Sequence, residues 1–208
     1  MPEFRNHAYA AFLFDMDGTL LDSSAVVDRV WGSWAERHGI DTEKLLANVH
    51  GVRSEDTIRR FAGPTVDVAK ETQWILDAEV ADVDGVVALE GIHAFIEALE
   101  PGTWAIVTSA PRALAEVRLR TVNLPIPEVM ITAEDVQRGK PDPQGFLLGA
   151  QRLGVSIGEC LVFEDSPAGV AAAKAAGAHV AIVGSLVPGN EGNFVLANYA
   201  LSSRHGQT

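Results

Sequence analysis

Ala10-Ala11-Phe12-Leu13-Phe14-Asp15-Met16-Asp17-Gly18-Thr19-Leu20 starts as an unbroken apolar run and gives way at Asp15 to acids and a glycine. An apolar run without polar alternation predicts a strand buried on both faces, as in a parallel sheet. Ligands of open parallel sheets gather at the carboxyl ends of the strands. Asp15 and Asp17 stand at such an end, and Gly18 lets the backbone turn sharply there.

Downstream the pattern becomes helical. Val27, Val30, Trp31 and Trp34 recur at helical spacing, which predicts a helix capped by Ser23 or Ser24 and stopped at Gly39. More helices are predicted over 42–49, after Gly51 with Ile58 and Phe61 inward, and over 65–80. Nothing between Asp22 and Gly85 reads as a strand. The chain then alternates. Helices at 91–100, from 112, at 143–153 and at 167–176 precede or separate apolar runs at 104–107, 129–131, 160–163 and 179–183. That alternation predicts an α/β fold, a Rossmann-like parallel sheet with helices on both faces. One edge strand is expected near 198–201. Residues 22–85 are too long for a loop and read as an inserted all-helical cap domain. Residues 1–21 and 86–208 form the core.

Composition narrows the function. A net charge of −12 argues against nucleic-acid binding, because phosphate backbones recruit basic surfaces. No apolar run approaches the roughly 18 residues that span a bilayer, and the first residues lack the order of a secretory signal. The expectation is a cytoplasmic monomer. The single cysteine, Cys160, rules out an intrachain disulfide framework and reads as a small core residue.

The predicted sheet gathers further polar residues at the same edge. These are Thr108 and Ser109, Lys140 in Arg138-Gly139-Lys140-Pro141-Asp142-Pro143, and Glu164-Asp165. Acids, hydroxyls and a lysine suit phosphoryl transfer. Mg²⁺ takes hard oxygen ligands, which Asp15, the Asp17 carbonyl and Asp165 supply, with Glu164 through water. A carboxylate can attack phosphorus. Asp15 is then the nucleophile, and Asp17 protonates the leaving oxygen and later takes a proton from water. Thr108, Ser109 and Lys140 hold the phosphoryl oxygens. Asp142 reads as a helix cap or a further site residue. Trp31 and Trp34 read as core, and His38 as a cation at a helix end.

Asp15-Met16-Asp17-Gly18-Thr19-Leu20, Thr108, Lys140 in its Gly-Lys-Pro setting and Glu164-Asp165-Ser166-Pro167-Ala168-Gly169 occur in the order and spacing of a known set. The sequence closely resembles the haloacid-dehalogenase-like hydrolases and phosphotransferases, in particular the phosphoglucomutase-like and sugar-phosphatase branch with a helical cap. The resemblance implies a Mg²⁺ cofactor, an aspartyl-phosphate intermediate and a small sugar or polyol phosphate as substrate. It also implies that the cap segment at Arg53 faces the site, where Arg53 contacts substrate or forms a surface salt bridge. The alternatives are a sugar-phosphate mutase and a non-catalytic binding protein. Resembling mutases carry a histidine where Val27 stands.

Overall fold

A computed structural model describes residues 8–185, 187 and 194–200. Its centre is a six-stranded sheet in the order β5-β4-β1-β6-β7-β8, every neighbouring pair parallel. The strands are β1 (Ala11–Phe14), β4 (Trp104–Val107), β5 (Val129–Ile131), β6 (Cys160–Glu164), β7 (His179–Val183) and β8 (Phe194–Leu196). The chain steps outward from β1 to β4 and β5, then returns to the other side of β1 for β6. The switch in direction therefore falls at β1, where an open sheet leaves its crevice.

Alternation along the strands builds two cores. Leu13, Ala105, Val107, Ile131, Val162 and Ile182 face α7 (Gln144–Leu153) and α8 (Pro167–Ala176). Phe14, Ile106, Met130, Phe163 and Val183 face α5 (Ile92–Glu97) and α6 (Arg112–Thr121). Phe14 stacks on Phe163 with centroids 4.6 Å apart, an arrangement worth about 0.5–1.5 kcal/mol beyond its burial. The β1–β6 register pairs these residues and carries Asp15 alongside Glu164. Cys160 is a buried core residue, its thiol pushed up to about 11 by burial and the Glu159 charge.

Between β1 and β4 lie α1 (Ser24–His38), α2 (Thr42–Leu46), α3 (Ser54–Phe61) and α4 (Val68–Ala81). A short antiparallel ribbon, β2 (Leu21–Asp22) with β3 (Val87–Ala88), closes the base of this helical insert. Two-residue strands carry no periodicity, so the sequence does not announce them. Trp34 is fully buried and its indole N–H bonds Glu71 of α4 at 2.9 Å. His38 meets the same carboxylate at 3.1 Å rather than serving only the helix end.

Two expectations are corrected. Ser23 stands at the N-cap of α1, as expected, but neither its side chain nor that of Ser24 caps the helix. Asp22 Oδ1 accepts from the Ser24 N–H at 2.9 Å, while the Ser23 hydroxyl turns to Asp17. The edge strand is Phe194–Leu196, where Phe-Val-Leu pairs with β7. Asn198, Tyr199 and Ala200 are not strand, because Asn198 bonds Glu90 and caps the Ala200 N–H. Leu201 lies outside the described residues.

Asp135 ties the loop after β5 to two helices. It accepts from the Thr132 N–H and hydroxyl at 2.9 Å, from Arg152 at 2.8 Å and from Arg112 at 3.3 Å. Burial pushes its carboxyl up, but Thr132 and Arg152 outweigh it and hold it at about 2. A depressed folded pKa gives stability that is present above the ordinary carboxylate range and lost as pH falls through the folded value. Asp135→Ala is therefore expected to cost about 1 kcal/mol at pH 7, or about 2–4 °C in Tm for a chain of this size. In melts from pH 7 downward, the gap between variant and wild type should close between pH 4 and about 2. A gap constant with pH would contradict this role.

Candidate active site

The carboxyl ends of β1, β4, β6 and β7 open on a cavity of about 450 Å³, and the loop after β5, with Lys140, packs behind it rather than lining it. Asp15 follows β1 with its N–H on Phe163 O at 3.0 Å. Its carboxylate is 4% exposed, and Asp15, Glu164 and Asp165 each place an oxygen within 4.8 Å of the others. Lys140 inserts from the β5 loop. Its ammonium donates to Asp15 Oδ1 and, at 2.6 Å, to Glu164 Oε1.

This cluster is a packed set of like charges with one cation. Burial pushes the Asp15 carboxyl well above its usual range, and Glu164 and Asp165 push it further against the pull of Lys140. Burial and the Glu164 charge push Asp165 up to about 7. Burial disfavours the Lys140 ammonium, yet Asp15 and Glu164 more than restore it.

Glu164 is fully buried. Its Oε2 accepts from the Asp165 and Ser166 N–H groups at 2.9 Å and from the Ser166 hydroxyl at 3.0 Å. With Oε1 on Lys140, both oxygens are already engaged. The carboxylate therefore fixes the lysine from behind. Asp165 receives the Thr19 hydroxyl at 3.3 Å and lies against Gly18, whose φ of +84° and lack of Cβ permit that approach.

Asp17 stands at the edge of the cluster, its Oδ1 accepting from the Ser23 hydroxyl at 2.7 Å and Arg118 Nη1 at 2.9 Å. Thr108 and Ser109 line the cavity beside Asp15. The Ser109 hydroxyl donates to Gly51 O in the insert at 2.9 Å. Arg53 is not among the residues lining this cavity. It pairs with Asp56 at 2.8 Å, reaches the Val136 and Gln137 carbonyls at 3.4 and 3.3 Å, and lies over Gly139. It thus braces the insert against the loop that delivers Lys140. Asp142 accepts from the Gln144 N–H at 3.0 Å and from Arg138 at 2.5 Å, a capping position.

A family model of the haloacid dehalogenase-like hydrolases matches residues 9–177, a span that contains all of these residues. The chain belongs to that family. Its sequence is 46% identical over 176 residues to hexitol phosphatase A of Escherichia coli, covering 83% of this chain and 82% of the relative. It is 34% identical over 183 residues to glycerol-1-phosphate phosphohydrolase 1 of Saccharomyces cerevisiae, covering 82% and 72%. A hydrolase structure from Pseudomonas syringae superposes with a TM-score of 0.75 at 26% identity, covering 84% of each chain.

In this family member, several residues of the site are not evident from motif reading. Ser166 is the N-cap of α8, accepting from the Gly169 N–H at 3.0 Å, and the Ser-Pro pair is its signal. Arg118 and Glu79 are almost fully buried and paired at 3.2 Å. Each lies on an apolar helix stripe, Arg118 with Leu114 and Ala115, Glu79 with Ile75. A charge on such a stripe is the signal that identifies a buried ionic group.

A Cβ at Gly169 would overlap the Glu164 carboxylate. Helix propensity favours Gly169→Ala by about 1 kcal/mol, whereas overpacking costs about 1–3 kcal/mol and here also displaces a buried charge. The steric effect is the larger, so Gly169→Ala should lower Tm by several degrees. A raised Tm would show that Glu164 is free to move.

Proposed function

We propose that this chain is a magnesium-dependent phosphatase that hydrolyses a small sugar or polyol phosphate through an aspartyl phosphate on Asp15. The observation that carries the reading is the Asp15 carboxylate, lining a cavity large enough for a small metabolite, with Lys140 on one oxygen and a second acid, Asp17, at the edge. The named relatives are phosphatases of hexitol and glycerol phosphates, and their chemistry supports the same substrate class here.

The donor set suits Mg²⁺. Asp15 and Asp165 are hard oxygen donors whose carboxyls are raised by burial and by the neighbouring carboxylates. Asp15, Asp165 and the Asp17 carbonyl would hold the ion, and Glu164 supports the set through Lys140. When bound, the ion offsets the negative charge of carboxylates and phosphate.

Lys140, Thr108 and Ser109 hold the phosphoryl oxygens. An Asp15 oxygen attacks phosphorus, the P–O bond to the alcohol breaks, and Asp17 gives its proton to the departing oxygen. Asp17 then takes a proton from water, which attacks phosphorus, frees phosphate and restores Asp15. Residues 22–85 act as the cap over a core of 1–21 and 86–208, with Arg53 joining cap to core. Val27, where resembling mutases have histidine, disfavours the mutase alternative.

Purified protein with Mg²⁺ is expected to release phosphate from glycerol phosphate and hexitol phosphates. Asp15→Asn should lose turnover by a factor on the order of 10³ or more, the scale on which loss of a nucleophile acts, with its melting curve retained. Full activity in that variant would contradict the mechanism.

A further inference from the structure

Arg118 joins the edge of the catalytic cluster to the helical insert. Nη1 donates to Asp17 at 2.9 Å, and Nη2 donates to Glu79 of α4 at 3.2 Å. Both Arg118 and Glu79 line the same cavity as Asp15. Arg118 is 3% exposed and Glu79 is 4% exposed, so neither charge is solvated as a surface pair would be. A buried pair of this kind returns little net stability, because the cost of desolvation absorbs its attraction. Arg118 Nε is buried and has no hydrogen-bond partner among the described residues.

The location fixes what that ligand portion is. In the proposed reaction the ester oxygen departs beside Asp17. One guanidinium spans the distance from Asp17 to Glu79, so the alcohol carried by that oxygen starts next to this pair. We infer that Glu79 and Arg118 form the alcohol-recognising end of the cavity, taking adjacent hydroxyls of a polyol or sugar phosphate. This rests on the phosphatase reading above. A hydroxyl both donates and accepts. The Glu79 carboxylate accepts from one hydroxyl and the guanidinium donates to its neighbour, a match that an apolar alcohol cannot make. Burial raises the Glu79 carboxyl, while Arg118 and then Trp31 of α1 favour its charged form. Sites built to bond hydroxyls reject analogues that lack them far more strongly than apolar pockets reject a change of size.

The test compares kcat/KM for a hexitol phosphate with that for p-nitrophenyl phosphate, which has no hydroxyls beyond its ester. Glu79→Gln keeps the shape and the acceptor for Arg118 but removes the charge. The ratio of the two constants should fall about tenfold, the difference between a charge-assisted and a neutral hydrogen bond. Trp31→Phe, which removes one support of Glu79, should move the ratio in the same direction and decides the matter if Glu79→Gln does not fold. A ratio within about twofold of wild type, or equal losses on both esters, would overturn the assignment while leaving the phosphatase reading intact. A wild-type protein that turns over neither ester would overturn both.

Discussion

The Lys140 ammonium stands between the Asp15 and Glu164 carboxylates, all three side chains nearly closed to solvent. Without it, Asp15, Glu164 and Asp165 would place three buried anions within 4.8 Å. Like charges at such distances repel by several kcal/mol even at an effective dielectric near 20. One cation faces three carboxylates, and burial first, then the neighbouring carboxylates, raise the Asp15 and Asp165 carboxyls. The site is held in an electrostatically costly state by its frame. In the proposed reaction such a state serves to bind a cation and a phosphate, and it has little value for stability.

The frame is correspondingly stiff. Asp15 and Glu164 leave adjacent parallel strands whose register is pinned by the stacked Phe14 and Phe163. Glu164 is fastened by the first turn of α8, where Ser166 and the absence of a Cβ at Gly169 leave room for its carboxylate and for no side chain. Lys140 depends on the β5 loop, which Asp135 ties to α6 and α7 and Arg53 ties to the helical insert. Core and insert thus meet at two buried or half-buried arginines, Arg53 beside the lysine loop and Arg118 beside Asp17.

Much of this was legible in the sequence. The unbroken apolar runs at 11–14, 104–107 and 180–183 admit few readings other than buried parallel strands. Acids or hydroxyls following such runs locate the crevice. The helical insert showed in spacing alone, through Val27, Val30, Trp31 and Trp34. What escaped was of a different physical kind. The β2–β3 ribbon is too short to have a period, and β8 lies in a stretch whose strand character comes from pairing with β7. Arg118 and Glu79 lie on apolar helix stripes, which marks them as buried, but only tertiary packing shows that they face each other. For Arg53 the family resemblance leaves two readings, a substrate contact and a salt bridge. Its guanidinium bonds Asp56 and reaches two carbonyls, contacts that only the folded loop supplies.

The charge account is tested most directly by melting the protein across a Mg²⁺ titration, with no substrate present. A cation that binds the folded state alone stabilises it by about 2.7 kcal/mol at a hundred times its dissociation constant, which is several degrees in Tm. Wild type should rise and saturate, whereas Asp165→Ala, with one anion fewer, should stay nearly flat. A flat wild-type curve, or equal rises in the two proteins, would contradict the claim that the unbalanced charge around Lys140 is a cation site.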